Sequence, residues 1–348
     1  MKKSKVTSID VACRAGVSQS AVSRAFSRTP TQSGVSAEVK KRIFKAANDL
    51  GYRPNAIARS LITKRSNIIA LLFSYLDNQF YALALEKLCI ELQNHGFHAL
   101  VFMMPSTDEG VEETVSQLLE YQVDAIITAS VELSSTLVAF CAQSNIPVVM
   151  FNRFQDHKGI ASVATDNVAG GRMAARHFIE TGHKRLALLS GWQSSSTSRD
   201  RQFGFEAELQ AQGRALFAHE IGHFDLVRTR DAVKRMFHGS KDTHPDALFV
   251  ANDYMAIEAM SVLRGDLGLG IPEDLSLIGF DDIPMAAMPE FSLTTLRQPI
   301  NNMVENSVRL VNDLVGGTSR EAENIALAPT LVERQTVKPR LEAVLDRM

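Results

Sequence analysis

The chain has little cysteine, no long apolar run and no motif of nucleotide or serine-hydrolase chemistry. Its three cysteines, Cys13, Cys89 and Cys141, are widely spaced and odd in number. They make neither a zinc spacing nor a disulfide framework, which fits a reducing compartment. No uninterrupted apolar stretch approaches the ~18 residues of a membrane span. The basic N-terminus runs into SIDVACRAG rather than the apolar core of a secretory leader. A cytoplasmic location with no membrane partner is therefore expected. There is no Walker loop and no GxSxG elbow. Gly268-Leu269-Gly270 lacks the third glycine of a dinucleotide fingerprint and follows a helical pattern. No cofactor is called for. His219-Glu220-Ile221-Gly222-His223 spells the HExxH motif, which binds zinc only when a helix brings both histidines to one face. Gly222 interrupts it and Asp225 opens a new helix just after, so no metal is expected. Asp281 and Asp282 could serve as acid and base, but no nucleophile stands beside them.

What is present is a strong charge asymmetry. Residues 1–65 hold 14 Lys and Arg against 3 acids, a net +11, while the remainder holds 23 against 36, a net −13. A small basic head on an acidic body points to a polyanion-binding module joined to a domain with another task. A length of 348 residues, with 45% hydrophobic and 22% charged residues, suits two or three globular domains.

Residues 7–26, TSIDVACRAGVSQSAVSRAF, predict two short helices. Ile9, Val11, Ala12 and Ala15 form an apolar stripe on the first. Gly16 allows a left-handed turn, Ser18 caps the second helix, and Ala21, Val22 and Ala25 hold it to the first. Gln19, Ser20, Ser23 and Arg24 are left pointing outward, as suits insertion in a DNA major groove. The same pattern also suits an ordinary helical hairpin; the next forty residues favour the DNA reading. Residues 36–50 predict a third helix, with Val39, Ile43, Ala46, Ala47 and Leu50 as its stripe and Gly51 at its end. After the break at Tyr52-Arg53-Pro54-Asn55 comes AIARSLI, residues 56–62, too short to be helical alone in water. The polar stretch 63–67 reads as a linker.

From residue 68 strands and helices alternate. Strands are predicted at 68–73, 98–103, 125–129, 147–151, 162–166, 185–191, 218–223, 247–251 and 275–280, and helices lie between most of them. Near-continuous apolar strands between amphipathic helices mean parallel sheets covered on both faces. Two such blocks give an α/β domain of two doubly wound lobes, with a ligand at the carboxyl ends of the strands in the cleft between them.

Several blocks then resemble the lac repressor and purine repressor family of bacterial transcription regulators, in the family's order and across nearly the whole chain. IDVACRAGVSQSAVSRAF resembles its helix-turn-helix, and GYRPNAIARSLIT its headpiece end and hinge helix. TDNVAGGRMAARHFIETGHKRLALLSG, PDALFVANDYMAIEAM, LSLIGFDD and LTTLRQP resemble its effector-domain blocks. The resemblance implies a small all-α helix-turn-helix headpiece (1–53), a hinge helix and linker (54–66), and a periplasmic-binding-protein-like effector domain (67–340). Lobe crossings are expected near 167, 298 and 327, and residues 341–348 form a short tail. It also implies a homodimer. Leu341, Val344 and Leu345 are too few for a tetramerising coiled coil.

The resemblance also assigns roles. Arg24 stands where the family has a base-contacting residue and can pair bidentately with guanine; Gln19 suits adenine, and Ser20 occupies the other position that sets operator preference. Thr7, Ser18, Ser23, Tyr52 and Asn55 read as phosphate contacts or caps. In the hinge, Ala58, Arg59 and Leu61 would enter the minor groove, with Leu61 wedged into the central base step. The effector positions carried over are Phe80, Tyr81, Ser195, Thr197, Arg201, Asn252 and Asp281, with Phe224 as a second wall and Asp166 at a lobe crossing. Phe80 and Tyr81 could instead be core, and Asp281 a helix cap. Aromatic faces with arginine, amide and carboxylate groups suit a polyhydroxyl ligand. Purine-binding relatives carry an arginine where this chain has Ser195, which turns the expectation toward a sugar or sugar acid. The expected function is a dimeric transcriptional repressor, binding near-palindromic operator DNA under control of that ligand. The alternative is an α/β enzyme with a regulatory DNA-binding headpiece. A periplasmic solute-binding protein conflicts with the headpiece. An architectural DNA protein would bind without sequence preference.

Overall fold

The computed structural model describes residues 6–26, 34–53, 60, 65–104, 111–129, 135–155, 160–318 and 322–339. The chain divides into two compact units, Met1–Ser66 and Asn67–Met348.

Among its described residues the first unit has the helices α1 (Ser8–Ala15), α2 (Gln19–Ala25) and α3 (Ala37–Leu50). Each has its own start signal. Thr7 and Asp10 form a reciprocal capping box on α1, and the hydroxyls of Ser18 and Ser36 accept from Ala21 N and Val39 N. Gly16 ends α1 at φ 64°, a left-handed conformation that costs a side-chain-bearing residue steric strain, and so turns the chain into α2. Val11, Ala12, Ala15, Val22, Ala25, Ile43, Ala46 and Ala47 close one small core. Ile9 is not part of it. The helical stripe predicted it inside, but it is 56% exposed because α2 and α3 cover only the Val11–Ala12–Ala15 side of so short a helix.

The second unit contains two six-stranded sheets. The first runs β11-β5-β4-β3-β1-β2, all parallel, from β1 (Ile68–Phe73), β2 (His98–Met103), β3 (Ala125–Ala129), β4 (Val148–Phe151), β5 (Ala161–Thr165) and β11 (Asn324–Leu327). The second runs β12-β10-β9-β8-β6-β7, from β6 (Leu186–Ser190), β7 (Ala218–Ile221), β8 (Ala247–Val250), β9 (Ser276–Asp281), β10 (Thr294–Arg297) and β12 (Thr330–Val332); only β12 is antiparallel. Strand β1 shows why such strands are apolar throughout. Ile69, Leu71 and Phe73 enter one core, while Ala70 and Leu72 enter the core on the opposite face.

The covering helices are α4 (Gln79–Asn94), α5 (Val111–Glu120), α6 (Ser135–Gln143), α7 (Asn167–Glu180), α8 (Ser196–Ala211), α9 (Leu226–Met236), α10 (Asp253–Ser261) and α11 (Ile300–Gly316). The chain passes between the lobes three times: at Asp166, after β5; at Gln298-Pro299, after β10; and at residues 328–329, between β11 and β12. Helix α11 thus follows a strand of the second lobe but packs on α4, β4 and β5 of the first. Helices α7 and α8 approach closely because Gly171 and Gly204 lie at their crossing. A Cβ on Gly171 would run into the Arg201 carbonyl, and one on Gly204 into the Val168 carbonyl.

The alternation read from the sequence stops at Phe280, whereas the structure adds β10, α11, β11 and β12. Strands of three or four residues leave too little pattern to read, whereas Met303, Val304, Val308 and Val311 give α11 a helical stripe that is open to reading. Helix α8 starts at Ser196, and its first turn is a run of buried Ser and Thr. Residues 219–221 of the HExxH segment lie in strand β7, and His219 Nε2 bonds Ser190 Oγ at 2.8 Å rather than facing His223 across a helical turn. Among the described residues no helix is long and apolar enough to cross a membrane.

Candidate nucleic-acid interface and ligand site

On the first unit, α2 buries Val22 and Ala25 and exposes Gln19, Ser20, Ser23 and Arg24 together. Not all of these groups are free. Gln19 Nε2 donates to Ser8 Oγ at 3.0 Å, and Ser20 Oγ shares a 2.9 Å hydrogen bond with Ser18 Oγ. Thr7 Oγ1 donates to Asp10 Oδ2 at 2.8 Å. The hydroxyls of Thr7 and Ser18 are therefore committed first to capping. The Thr7 backbone N–H, which donates to the same Oδ2 at 2.8 Å, and then the Thr7 hydroxyl hold the Asp10 carboxyl below its ordinary value. The Tyr52 ring lies edge-on to Phe26 at 5.8 Å, so its body is part of the packing. Asn55, Ala58, Arg59 and Leu61 lie outside the described residues.

In the second unit a pocket opens where the carboxyl ends of both sheets meet. Strand β1 leads to Tyr75 and Asn78, then to Phe80 and Tyr81 at the start of α4; β4 leads to Asn152. From the second lobe come Thr197 and Arg201 of α8, Phe224 after β7, Asn252 after β8, and Asp281 at the end of β9. The expected residues Phe80, Tyr81, Thr197, Arg201, Phe224, Asn252 and Asp281 therefore share one pocket. Ser195 stands just behind, its hydroxyl 2.8 Å from that of Thr197. Asp166 is elsewhere, capping α7 through Ala169 N.

The polar centre is Arg201, 2% exposed. Its Nε donates to Asn167 Oδ1 at 2.8 Å, its Nη1 donates to the Ala251 carbonyl, and its guanidinium lies 3.5 Å over the Phe280 ring. Asp281 Oδ1 is 3.7 Å from Nη1 and accepts from Gln298 Nε2 at 2.7 Å. Asn78 Nδ2 donates to Asp281 Oδ2 at 3.4 Å across the cleft. Asp281 caps no helix; it sits at φ 123°, a backbone conformation rare outside glycine. Burial dominates here. It presses Arg201 below the ordinary arginine value and lifts Asp281 above the carboxylate range despite their attraction. Behind them Asp253 accepts from Thr295 Oγ1 at 2.6 Å and Ile283 N at 3.0 Å; burial first, and then the Asp281 charge, push it up to about 7. Asp282 points elsewhere, into 2.6 Å ion pairs with Arg297 and Arg334, so it makes no acid–base couple with Asp281.

The walls are aromatic. Phe80, Tyr81, Tyr75, Trp192 and Phe224 form an edge-to-face chain, with centroid separations of 5.4, 5.2, 6.3 and 5.8 Å, that runs from the first lobe to the second. Phe80 and Tyr81 belong to the core and line the pocket at once. Asn252 spends Oδ1 on capping α10 at Met255 N. Asn152 donates to Tyr81 Oη at 3.2 Å, yet its Oδ1 is buried with no partner. Direct contacts also join the lobes: Phe154 N donates to Ser196 Oγ at 3.0 Å and Met285 N to Gln79 Oε1 at 3.3 Å. The cavity left is ≈ 10 Å³, space for about one water.

Residues 8–55 match the model of bacterial regulatory proteins of the lacI family, and residues 175–337 match a periplasmic binding protein-like domain. The HTH-type transcriptional regulator GalS of Salmonella typhimurium is 31% identical over 342 residues, which cover 98% of this chain and 99% of that protein. This chain belongs to the lacI family of bacterial regulatory proteins. Among lacI-family structures, the lac repressor dimer bound to operator and the anti-inducer ONPF superposes with a TM-score of 0.83, at 28% identity and 96% and 99% coverage of the two chains. The CelR–cellobiose complex does so with a TM-score of 0.71, at 27% identity and 96% and 100% coverage. This lacI-family chain brings five further residues to the site that sequence reasoning missed: Tyr75, Asn78, Asn152, Trp192 and Gln298. Four of them follow directly on the carboxyl ends of β1, β4, β6 and β10, which was the signal available.

Proposed function

We propose that this chain is a dimeric, cytoplasmic transcriptional repressor that binds near-palindromic operator DNA under control of a sugar or sugar acid held between its lobes. The observation that carries the reading is the pocket itself. Arg201, Asp281, Asn152 and Asn252 are buried at the strand ends of both lobes between aromatic walls, in one chain with a helix-turn-helix. Such a set orients vicinal hydroxyls by bidentate and amide hydrogen bonds. The lac repressor relative supports the DNA and dimer parts, and the CelR–cellobiose relative supports a carbohydrate ligand.

With a cavity of ≈ 10 Å³, a sugar enters only if the lobes part, and cross-cleft bonds such as Asn78–Asp281 then exchange for bonds to ligand. A ligand shifts the equilibrium by its differential affinity for the two arrangements, and the hinge passes that shift to the headpieces. On the DNA side Gln19 must exchange its bond to Ser8 for a base edge, whereas Arg24 needs no such release.

Fluorescence anisotropy with operator DNA tests this. Affinity should fall steeply and log-linearly with salt, as neutralised phosphates release counterions. Arg24→Ala should cost about 1–3 kcal/mol, a loss of about five- to 150-fold. Affinity indifferent to salt, or an Arg24→Ala protein that footprints as the parent does, would overturn the reading.

A further inference from the structure

Behind the pocket, five buried residues close a ring of polar contacts across the lobe boundary. Arg201 Nε donates to Asn167 Oδ1 at 2.8 Å, and Asn167 Nδ2 donates to the Thr165 carbonyl at 3.0 Å. Thr165 Oγ1 donates to Gln298 Oε1 at 2.6 Å. Gln298 Nε2 donates to Asp281 Oδ1 at 2.7 Å, and that same oxygen faces Arg201 Nη1 at 3.7 Å. No member is more than 6% exposed.

Arg201 and Asp281 line the pocket, whereas Thr165, Asn167 and Gln298 stand at the lobe crossings. Thr165 ends β5, one residue before the first crossing, and Asn167 opens α7 just after it. Gln298 lies at the second crossing. The third is tied in by the backbone, where Asp166 N donates to the Leu327 carbonyl at 2.7 Å. Thr165 is the one ring member from the first lobe. Turning one lobe against the other therefore turns Thr165 against partners from the second, and a hydroxyl bond responds to direction as well as length. Burial means that a broken bond leaves a polar atom unpaired, so the bonds support one another and favour one lobe arrangement. A ligand hydroxyl bonded to Asp281 competes with Gln298 for Oδ1, and one bonded to Arg201 draws on the guanidinium that Asn167 orients.

We propose that this ring is the element through which the pocket sets the lobe angle. Thr165, Asn167 and Gln298 are positioning residues that carry the occupancy of Arg201 and Asp281 to the crossings, and so to operator affinity. The inference rests on the reading of the chain as a ligand-controlled repressor and names the residues that do the coupling.

The test needs no ligand. Trp192, the sole tryptophan in the chain, stands between Tyr75 of the first lobe and Phe224 of the second, so its quenching by acrylamide reports the lobe angle. Operator affinity is read by anisotropy on DNA that the parent protein selects from a random near-palindromic pool. Thr165→Val keeps the shape of the side chain and removes its donor, whereas Thr165→Ser keeps the donor. Asn167→Ala opens the ring on its other side. The valine and alanine variants should expose Trp192 to acrylamide more than the parent does. Both should also shift operator affinity in one direction, by about fivefold or more. The serine variant should stay close to the parent. The double variant Thr165→Val/Asn167→Ala should move no further than the larger single change, because a ring opened once is already open. A merely structural role would lower stability in urea and leave the operator affinity of the folded protein where it was. Parent-like quenching or affinity in both variants, shifts of opposite direction, effects that add, or a serine variant that behaves as valine does overturns the proposal. If Thr165→Val does not fold, Asn167→Ala against the parent decides alone. A parent that selects no DNA overturns the repressor reading instead, and the quenching series still judges the ring.

Discussion

Arg201 and Asp281 form an ion pair in which both partners shift toward neutrality, so burial outweighs their attraction at 3.7 Å. Asp253 extends the same imbalance without a cation of its own. Its folded value is raised to about 7 from an ordinary value near 4, so the folded state binds the extra proton across that window. The stabilising contribution is complete below about pH 4 and is lost as pH rises through about 7. Asp253→Asn removes the titration. Urea unfolding of the two proteins across this range should show wild-type stability falling relative to the variant by up to roughly 1 kcal/mol per pH unit, then levelling. Parallel pH profiles would contradict the assignment. Single residues were unevenly legible in the sequence. Arg201 was named through the family resemblance, whereas Asn78 reads as an ordinary loop residue and Asn152 as the end of a strand. Nothing in the sequence shows that Asn152 adopts φ 68° or that its Oδ1 is left unpaired.

Helix α8 carries Arg201, Thr197 and the Ser196 that bonds the opposite lobe, so its placement sets the site. That placement depends on the glycines at its crossing with α7. Gly204→Ala would drive a methyl into the Val168 carbonyl and force the two helices apart. A loss of about 1–3 kcal/mol in denaturant unfolding is expected, as for other overpacked contacts, together with a weaker Trp192 response to ligand. A variant with unchanged stability would mean that α7 slides without cost. Elements long enough to show a period, such as α3 and β1, were legible; β10, β11 and β12 were not, because strands of three or four residues are too short to show one. Ile9 shows the opposite limit. It satisfied the helical period of α1, but period alone does not say how wide a face the neighbouring helices cover.

The two units have separate cores, one closed by Val11, Val22 and Ile43 and the other by the two sheets. Calorimetry should resolve a small transition for the basic unit and a large one for the two-lobed unit. A bound sugar should raise only the second, by mass action. A single transition shifted as a whole by ligand would mean that the units unfold as one. The charge split made this division visible in the sequence, whereas the exact partition of the lobes depends on pairings that no local pattern announces.

The threefold passage between lobes has a consequence for how the protein is made. The first lobe begins at Ile68 but acquires its covering helix α11 and its edge strand β11 only from residues 300–327. On the ribosome its sheet therefore waits, with one edge and part of one face bare, while the second lobe is synthesised and can begin to fold. Domains of ordinary linear layout fold from the N-terminus as they emerge. Here the half synthesised first is not complete until residue 327, just before β12 closes the second, and the pocket exists only once nearly the whole chain has left the exit tunnel.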